Sequence, residues 1–571
     1  MHDPLRCRQM TWHSLSEEVF DVVVIGGGIN GAAVARDAVL RGMSVALLER
    51  TDFAAGTSSR SSKLIHGGIR YLEQGDIGLV LESCRERDLL RSRLAPHLVR
   101  AQPFVFPVYE KDALPAWQLR IGLLLYDLLA GFHNVRMHRM LSASDMRAHE
   151  PALASEGLVG GALYYDCWTD DARLTLETAL AARSGGAAVL NYVEVVALEK
   201  DSSGRLASAV VRDRVSGAET RVRARSFVNV TGPWLDTVRR LDDPGAPPRL
   251  MLTKGVHAVF DRDRIGNRDA VVIRGAHDDR VMFAIPWQRQ TLVGTTDTFY
   301  DDDPAAVSAT REDVDYILEA VNCAFPRAQV TAADVISTYA GLRPLVAPED
   351  EMQESDISRE DEIFESPAGL ISLGGGKLTT HRHVAERIVD VIARRIGRRP
   401  GRCRTARVPL PGGRGINPGP VADAPPVGSE DHLRRRYGAL ASEVAQLVRG
   451  DASLASPIVG DLPDLRAEIA WAVEHEMALK IEDVLTRRLH IRLRSRSHGD
   501  AVVREVARMM GERLGWDADR VEAEVAEYNR ALQHRANGSH KGLGNASNGT
   551  DGRAQVTDTT PFSGESTEKA H

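Results

Sequence analysis

The stretch FDVVVIGGGINGAAVARDAVLRGMSVALLER, from Phe20 to Arg50, leaves the chain few folds to choose from. Val22 to Ile25 form an unbroken apolar run of strand length, the pattern of a parallel strand covered on both faces. Gly26-x-Gly28-x-x-Gly31, with Asn30 inside it, supplies a tight turn and lets the next helix lie close to the strand. Ala32, Ala33 and Ala35 keep that helix slim. A second strand, MSVALLE, ends in Glu49, roughly 20 residues after the turn, where a carboxylate can accept both ribose hydroxyls of an adenosine. The helix start faces the pyrophosphate of such a ligand. A purely structural glycine turn needs neither the second strand nor the terminal acid. The segment therefore predicts an α/β, Rossmann-type dinucleotide site.

A chain of 571 residues extends well beyond one such unit and predicts two or three cores. Its 72 Lys and Arg nearly balance 79 Asp and Glu, and a net charge of -7 does not suit bulk nucleic-acid binding. The five cysteines, Cys7, Cys84, Cys167, Cys323 and Cys403, are scattered with no C-x-x-C. That spacing argues against a disulfide scaffold, a dithiol relay or a cysteine-held metal, and fits a cytoplasmic protein. No secretory signal is visible at the start. The most membrane-like stretch, Ile121 to Ala130, is too short to span a bilayer. It reads as a buried helix or as one lying on a membrane surface, with Trp117 and Arg120 at its rim.

The stretch SSRSSKLIHGGIRYLE, Ser58 to Glu73, gathers serines, cations and a glycine pair that do not build a core. Such donors suit a phosphate or a carboxylate, although a Ser-rich loop before a helix is the plainer reading of the segment alone. Two more glycine turns follow strands, NVTGPW at Asn229 to Trp234 and GGGKLTT at Gly374 to Thr380. A second helix start beside the first glycine motif could stabilise the electron-rich end of a flavin, so a flavin accounts for three turns better than a nicotinamide does. After a Pro- and Gly-rich stretch, apolar residues take up helical spacing: Leu433, Tyr437, Leu440, Val444 and Leu447, then Leu465, Ile469, Val473, Met477, Ile481 and Leu485.

Taken together these pieces resemble the FAD-dependent, respiratory glycerol-3-phosphate dehydrogenases, over nearly everything from Phe20 to Leu532. The resemblance is carried by IGGGINGA, TSSRSSKLIHGGIRYLE, RIGLLLYDLLAG, YYDCWTDDARL, NVTGPW, LTKGVHAVF, IPWQRQTLVGTTD, YAGLRPLV, GGGKLTTHR and HEMALKIEDVLTRR. It implies a Rossmann-type FAD-binding domain with an inserted, mostly antiparallel substrate domain and an all-helical C-terminal domain. Residues 1–19 are then a flexible leader and 20–407 the oxidoreductase region. FAD-binding segments fall at about 20–100, 150–235 and 340–400, and substrate-domain segments at about 101–149 and 236–339. A linker over 408–428, a helical domain over 429–535 and a disordered tail over 536–571 complete the chain.

The resemblance places FAD on Gly26, Gly28, Asn30, Gly31 and Glu49. It adds Thr57, Ser58, Ser59, Ser62, Lys63, Leu64 and His66 along the serine loop, and Gly232, Gly375, Lys377, Leu378 and Thr379 at the later turns. Substrate contacts carry over onto Arg70, Tyr71, Arg343, Arg359 and Lys377. The implied reaction oxidises sn-glycerol 3-phosphate to dihydroxyacetone phosphate by hydride transfer to FAD. His66 and His257 are both candidates for the base, while either could instead orient flavin or substrate. Arg70, Arg343 and Lys377 complete the catalytic set, the last two as partners of developing negative charge.

The implied acceptor is a membrane quinone, reached from the cytoplasmic face of the inner membrane. Either the 121–130 helix or a basic face around Arg487, Arg488, Arg492, Arg494 and Arg496 would touch lipid, unless that charge run is only a solvated face. An oxidase that reduces dioxygen to hydrogen peroxide shares the substrate site. A flavoprotein with a binding role only would not need the intact His66, Arg70 and Arg343. A homodimer is compatible with the sequence, and no metal is implied. The chain departs from the family in having Ala55-Gly56-Thr57 before the serines, which removes a cysteine link to flavin at that point. It also has Gly374 where Phe is frequent and His381 where Tyr is frequent.

Overall fold

The Val22–Ile25 strand forms as its composition predicts, with all four residues buried, in the middle of a six-stranded sheet. The computed structural model that contains it describes residues 3–69, 75–112, 114–131, 135–278, 280–346, 361–399, 401–417 and 428–540. Across the sheet the order is Glu362–Glu365, Leu370–Gly374, Phe227–Asn229, Val22–Ile25, Val45–Leu48 and Ala188–Leu190. Every pairing is parallel except that of the first strand. One face is covered by the Ile29–Leu40, Asp171–Ser184 and His381–Arg395 helices, whose Ala32, Ala35, Leu176, Ala179, Val384 and Ile388 share a core with Val22, Val24 and Val45. The other face packs Val23, Ile25, Ala46 and Leu48 against Val195, Val211 and Val222 of a smaller four-stranded sheet. The continuous apolar run is thus explained by cover on both sides.

A second, ten-stranded sheet draws on Leu64–Ile65, Arg100–Tyr109, Arg139–Ser142, Leu158–Trp168 and the strands from Leu250–Asp261 to Val335–Val346. Its pairings are antiparallel apart from Ala270–Arg274 against Arg100–Tyr109. This is the inserted sheet expected from sequence, with different limits. Leu158–Trp168 and most of Val335–Val346 were expected in FAD-binding segments but belong here. Both are apolar enough to suit either sheet, and only the long-range register decides.

The helical region after residue 428 has its own core, in which Tyr437, Val444, Ile469, Val473, Ile481, Leu485, Val506 and Tyr528 meet. The stripes seen in the sequence are its inner faces except at Met477, which follows the end of the Arg466–Glu474 helix with φ +61 and packs against the cores of the sheets. The Ala518–His540 helix runs beyond the expected domain end at 535, and the rest of the tail lies outside the described residues.

Three expectations are corrected by packing. The leader is not flexible: Pro4–Glu17 is a helix capped by Asp3, with Leu15 fully buried. Its Arg8 donates to the Asn191 carbonyl at 2.7 Å and to Asp213 at 2.9 Å. Leu5, Trp12 and Leu15 reach cores while Met10 stays exposed, a division that their sparse spacing concealed. The beginning of the linker is fixed as well, because the Leu410 N–H donates to the Leu94 carbonyl and Gly412 and Gly413 are buried. Residues 418–427 lie outside the described residues.

The basic run is not a lipid-facing surface. Arg487 and Arg488 are buried on the carboxylate of Asp52, and Arg494 on Asp464. Of the same group Arg496 is exposed, and it pairs with Asp261. The Asp52 pairs tie the helical region to the loop that follows Glu49. Burial pushes the Asp52 carboxyl up, but the two guanidinium groups win and hold it down at about 2.

Candidate active site

The first glycine turn is built for a close backbone approach. A Cβ on Gly31 would lie 1.9 Å from the Gly26 carbonyl oxygen, so the helix can start flush against the turn only with glycine there. Gly26 itself has φ +108, a conformation that favours glycine. The Ile29–Leu40 helix begins at Gly28 with no side-chain cap of its own residue, and the Ile29 N–H donates to Ser58 Oγ at 3.0 Å. Glu49 sits at the strand tip, accepting the Gly27 N–H at 2.6 Å and the N–H and hydroxyl of Thr51 at 2.8 and 2.9 Å. Burial raises the Glu49 pKa above its ordinary value, against the pull of these donors.

The later glycine turns close on the first. A Cβ on Gly376 would come 2.5 Å from Asn30 Nδ2, and the Asn30 Oδ1 is buried without a hydrogen-bond partner. Gly375 and Gly232 have positive φ at the openings of their turns, and the Val230 carbonyl lies against Gly26. A helix start whose own N-cap residue is a glycine, a carboxylate at the strand end and an orphaned amide oxygen suit the pyrophosphate, the ribose and a polar edge of a dinucleotide. The residues present fit such a cofactor.

Beside these turns lies a cavity of about 220 Å³ between the two sheets. The serine loop forms one wall, contributing Thr57, Arg60, Ser61, Ser62, Leu64 and His66. The strands carrying Gly255, His257, Thr295, Gly341, Leu342 and Arg343 form another, and Lys377, Leu378 and Thr379 close it. The loop lies on the 335–346 strand because Gly341 has no side chain: a Cβ there would meet the Arg60 carbonyl oxygen at 2.7 Å. Thr57 Oγ1 donates to the Leu342 carbonyl at 2.6 Å, and the His66 N–H donates to Thr379 Oγ1 at 3.2 Å.

His257 is 3% exposed and stacks on the Tyr339 ring at 4.8 Å. Its Nε2 shares a hydrogen bond with Ser62 Oγ at 2.9 Å, while its Nδ1 is buried with no partner. Burial, then the charges of Arg343 and Lys63, push its pKa down to about 3. The imidazole is therefore neutral and able to accept a proton. Arg343 is held on one side: Nη1 donates to Asp297 Oδ1 at 2.8 Å and Nη2 to Thr295 Oγ1 at 3.2 Å. A neutral base and a fixed guanidinium in one enclosed space can deprotonate an alcohol whose anionic end is clasped nearby.

Of the residues expected from sequence, Thr57, Ser62, Leu64, His66, His257, Arg343, Lys377, Leu378 and Thr379 line this cavity. Gly26, Gly28, Asn30, Gly31, Glu49, Ser58, Gly232 and Gly375 gather at the dinucleotide end. Ser59 closes the short Thr57–Ser59 helical turn and does not line the cavity. Lys63 is corrected as a contact through its ammonium. That group is buried on Asp171 at 2.6 Å, near the Trp287 and Tyr339 rings. Arg70, Tyr71 and Arg359 lie outside the described residues.

Sequence reading missed Arg60, Thr295, Asp297, Gly255 and Tyr339 as part of this arrangement. The signal for three of them was present, since Thr295 and Asp297 end the VGTTD motif and Gly255 stands two positions before His257. Both departures noted in the third turn are accommodated. A Cβ on Gly374 would meet the Val346 side chain at 2.7 Å, so a Phe would require that side chain to give way. His381 is buried, its Nδ1 bonded to the Leu378 carbonyl at 2.7 Å, and burial lowers its pKa to about 4.

Comparison with known proteins matches the family model of FAD dependent oxidoreductases over residues 21–389. The model described as the C-terminal domain of alpha-glycerophosphate oxidase matches residues 403–521. The chain is 40% identical over 532 residues to glycerol-3-phosphate dehydrogenase 2 of Mycobacterium bovis, covering 91% of this chain and 89% of that protein. It is 37% identical over 526 residues to the aerobic glycerol-3-phosphate dehydrogenase of Staphylococcus haemolyticus, covering 88% and 93%. Among solved structures, the glycerol-3-phosphate dehydrogenase of Bacillus halodurans complexed with FAD matches with a TM-score of 0.77 and 33% identity, over 96% of this chain and all of that one. The L-alpha-glycerophosphate oxidase of Mycoplasma pneumoniae shares the fold at a TM-score of 0.53 and 17% identity, over 69% of this chain and 99% of that one.

Proposed function

Because this chain belongs to the family of FAD-dependent glycerol-3-phosphate dehydrogenases and oxidases, we propose that it oxidises sn-glycerol 3-phosphate at C2 and passes the electrons to a membrane quinone. It is an FAD-dependent oxidoreductase of the glycerol-3-phosphate dehydrogenase type. The observation that carries the site assignment is the cavity in which neutral His257 and the fixed guanidinium of Arg343 meet, next to the Gly26 turn.

FAD, held by the glycine turns, Glu49 and the serine loop, supplies the two-electron acceptor when bound. The chain's own residues do the rest. Arg343 clasps the phosphate, with Arg70, Tyr71 and Arg359 as further contacts by resemblance. His257 takes the C2 hydroxyl proton, and Ser62 orients its ring. Lys377 stabilises negative charge developing at the substrate oxygen and at the reduced cofactor. His66, tied to Thr379, shapes the wall between the two.

A surface feature supports a lipid-borne acceptor over dioxygen. The Ala116–Leu129 helix buries Leu119, Leu123 and Tyr126, yet Trp117, Ile121, Leu124 and Leu128 are each more than half exposed. Ile77 and Leu81 of the neighbouring Ile77–Leu89 helix are also exposed at 50% and 52%. Contiguous apolar exposure of this kind is characteristic of a surface that meets a membrane or a partner. No helix among the described residues is long and apolar enough to cross a membrane, so contact would be peripheral.

The test is anaerobic reduction of the holoenzyme by sn-glycerol 3-phosphate, followed as bleaching of the flavin absorbance, then reoxidation by a soluble quinone analogue or by air. Fast quinone and slow air reoxidation is the expected result. Fast air reoxidation with peroxide release would make the enzyme an oxidase. No bleaching would mean a different substrate.

A further inference from the structure

The cavity that holds His257 is uneven in charge. Its lining residues include Arg60, Arg343 and Lys377 and, among the described residues, no aspartate or glutamate. The two carboxylates closest to the chemistry are already committed, Asp171 to Lys63 and Asp297 to Arg343. Asp297 is also shared with Arg280 at 3.1 Å.

The groups packed around His257 follow the same pattern. The serine loop offers the Ser62 hydroxyl and the cation of Lys63, and the 335–346 strand offers the Tyr339 ring and Arg343. The Gln290–Gly294 strand offers Gly294, where a Cβ would meet the His257 ring at 2.5 Å, so no charged side chain stands there. His66 faces the same cavity from the far wall.

The spacing of base and cation is set by strand register. His257 pairs with Tyr339 and Gly255 with Gly341, so the 255 and 257 positions share one face of their strand. The Arg343 guanidinium covers Gly255, where a Cβ would be 2.6 Å from Nη2. It therefore lies two residues, roughly 7 Å, along the strand from the imidazole. A three-carbon phosphate can place its phosphate on one and its C2 hydroxyl at the other.

We infer that the substrate's phosphate dianion belongs to the catalytic apparatus: seated on Arg343, it supplies a counter-charge that lets His257 take up a proton. This rests on the reading of the cavity as a glycerol-3-phosphate site. Proton abstraction creates an imidazolium that faces cations. A dianion on the guanidinium reverses the sign of that field. Its interaction grows as the proton moves, so it lowers the barrier and does more than hold the substrate. The covalent link between phosphate and polyol is then dispensable. A free tetrahedral oxyanion, phosphite, activates the oxidation of plain glycerol. In that reaction glycerol loses the C2 hydrogen with its electron pair to oxidised FAD and the hydroxyl proton to His257, leaving dihydroxyacetone. The phosphite is unchanged.

The experiment uses the FAD-loaded full chain with sn-glycerol 3-phosphate as its control. Flavin reduction by glycerol is timed with and without phosphite. The expected rise is saturable and at least about tenfold, because one unit charge at roughly 7 Å in a protein interior shifts an equilibrium by more than that. Arg343→Ala should bring the ratio of the two rates to one. A second readout needs no turnover. Sulfate stays a dianion in the mildly acidic range, so its binding should draw a proton onto the protein, measured by calorimetry in buffers of different ionisation enthalpy. His257→Gln should remove that uptake. Absence of phosphite activation in an enzyme that oxidises glycerol 3-phosphate overturns the inference. So does activation that survives Arg343→Ala, or the lack of proton uptake with sulfate in the unaltered protein. If glycerol 3-phosphate itself fails to reduce the flavin, the assigned function falls instead.

Discussion

Adding a single methyl group at Gly255 should disarm the anion clamp while leaving the fold in place. Gly255 is a buried strand residue with no positive φ, so Ala strains no backbone. The new Cβ would lie 2.5 Å from Thr295 Oγ1 and 2.6 Å from Arg343 Nη2. Both are ends of side chains that can swing away, so the overpacking penalty stays near the low end of about 1–3 kcal/mol. Removing a strand glycine returns about 0.5–1 kcal/mol. The two terms nearly cancel, which leaves the loss of the partly exposed Arg343–Asp297 ion pair, about 0–1 kcal/mol, so the enzyme should stay folded with a slightly lower melting temperature. The functional loss is larger. Displacing the guanidinium breaks its bonds to Asp297 and Thr295 and takes it off the phosphate. Hydrogen bonds to charged groups are worth about 1.5–3 kcal/mol, or roughly 10- to 150-fold in KM for glycerol 3-phosphate. The assay is steady-state kinetics with a soluble quinone analogue, alongside FAD content and thermal unfolding. A folded, FAD-loaded Gly255→Ala enzyme with an unchanged KM would refute the phosphate role of Arg343.

Four other outcomes can be checked. Asp52→Asn leaves Arg487 and Arg488 buried without their carboxylate and should lower stability by about 3–5 kcal/mol, read from denaturant unfolding. Because the Asp52 pKa is held down at about 2 from 3.8, its contribution is fully present above the ordinary carboxylate value and fades as pH falls through 2. The gap between parent and variant should therefore shrink in strong acid. Glu49→Gln should weaken FAD binding about 10- to 100-fold, measured by flavin release on dilution, and equal retention would mean that another group holds the ribose. With the His257 pKa lowered to about 3, kcat/KM should show no acid limb from this residue between pH 5 and 8. His257→Gln should reduce kcat by about 10²- to 10⁴-fold, and a limb in that range that disappears in the variant would show the imidazole to be more basic than its surroundings imply. Leu124→Glu should abolish co-sedimentation with phospholipid vesicles while preserving turnover with a soluble acceptor, and unaltered vesicle binding would place lipid contact elsewhere.

Local patterns proved sufficient where the physics is local. The Gly26 turn, the slim helix after it and Glu49 at the next strand end could be read directly, because a backbone that must approach a ligand tolerates only glycine and the acid ending the second strand is brought back to that turn by the local strand–helix–strand unit. The helical stripes after residue 428 were equally plain, since one face of each helix must be apolar to be buried. Charged and sparse segments were read less well. Arg487 and Arg488 resemble a solvated or lipid-facing run until Asp52, more than 400 positions earlier, is placed against them. Lys63 resembles a ligand contact until Asp171 is seen to neutralise it.

The sequence by itself therefore determined the dinucleotide fold, the glycine turns and the pool of residues from which a site for a small phosphate could be drawn. Tertiary structure alone decided which of them act together. His257, Ser62 and Arg343 meet because two antiparallel strands run in one register and a glycine-flanked loop lies across them, and the imidazole is neutral because that assembly buries it among cations. Charge state and distance depend on everything packed around a group, whereas a turn or a stripe depends on its neighbours in the chain.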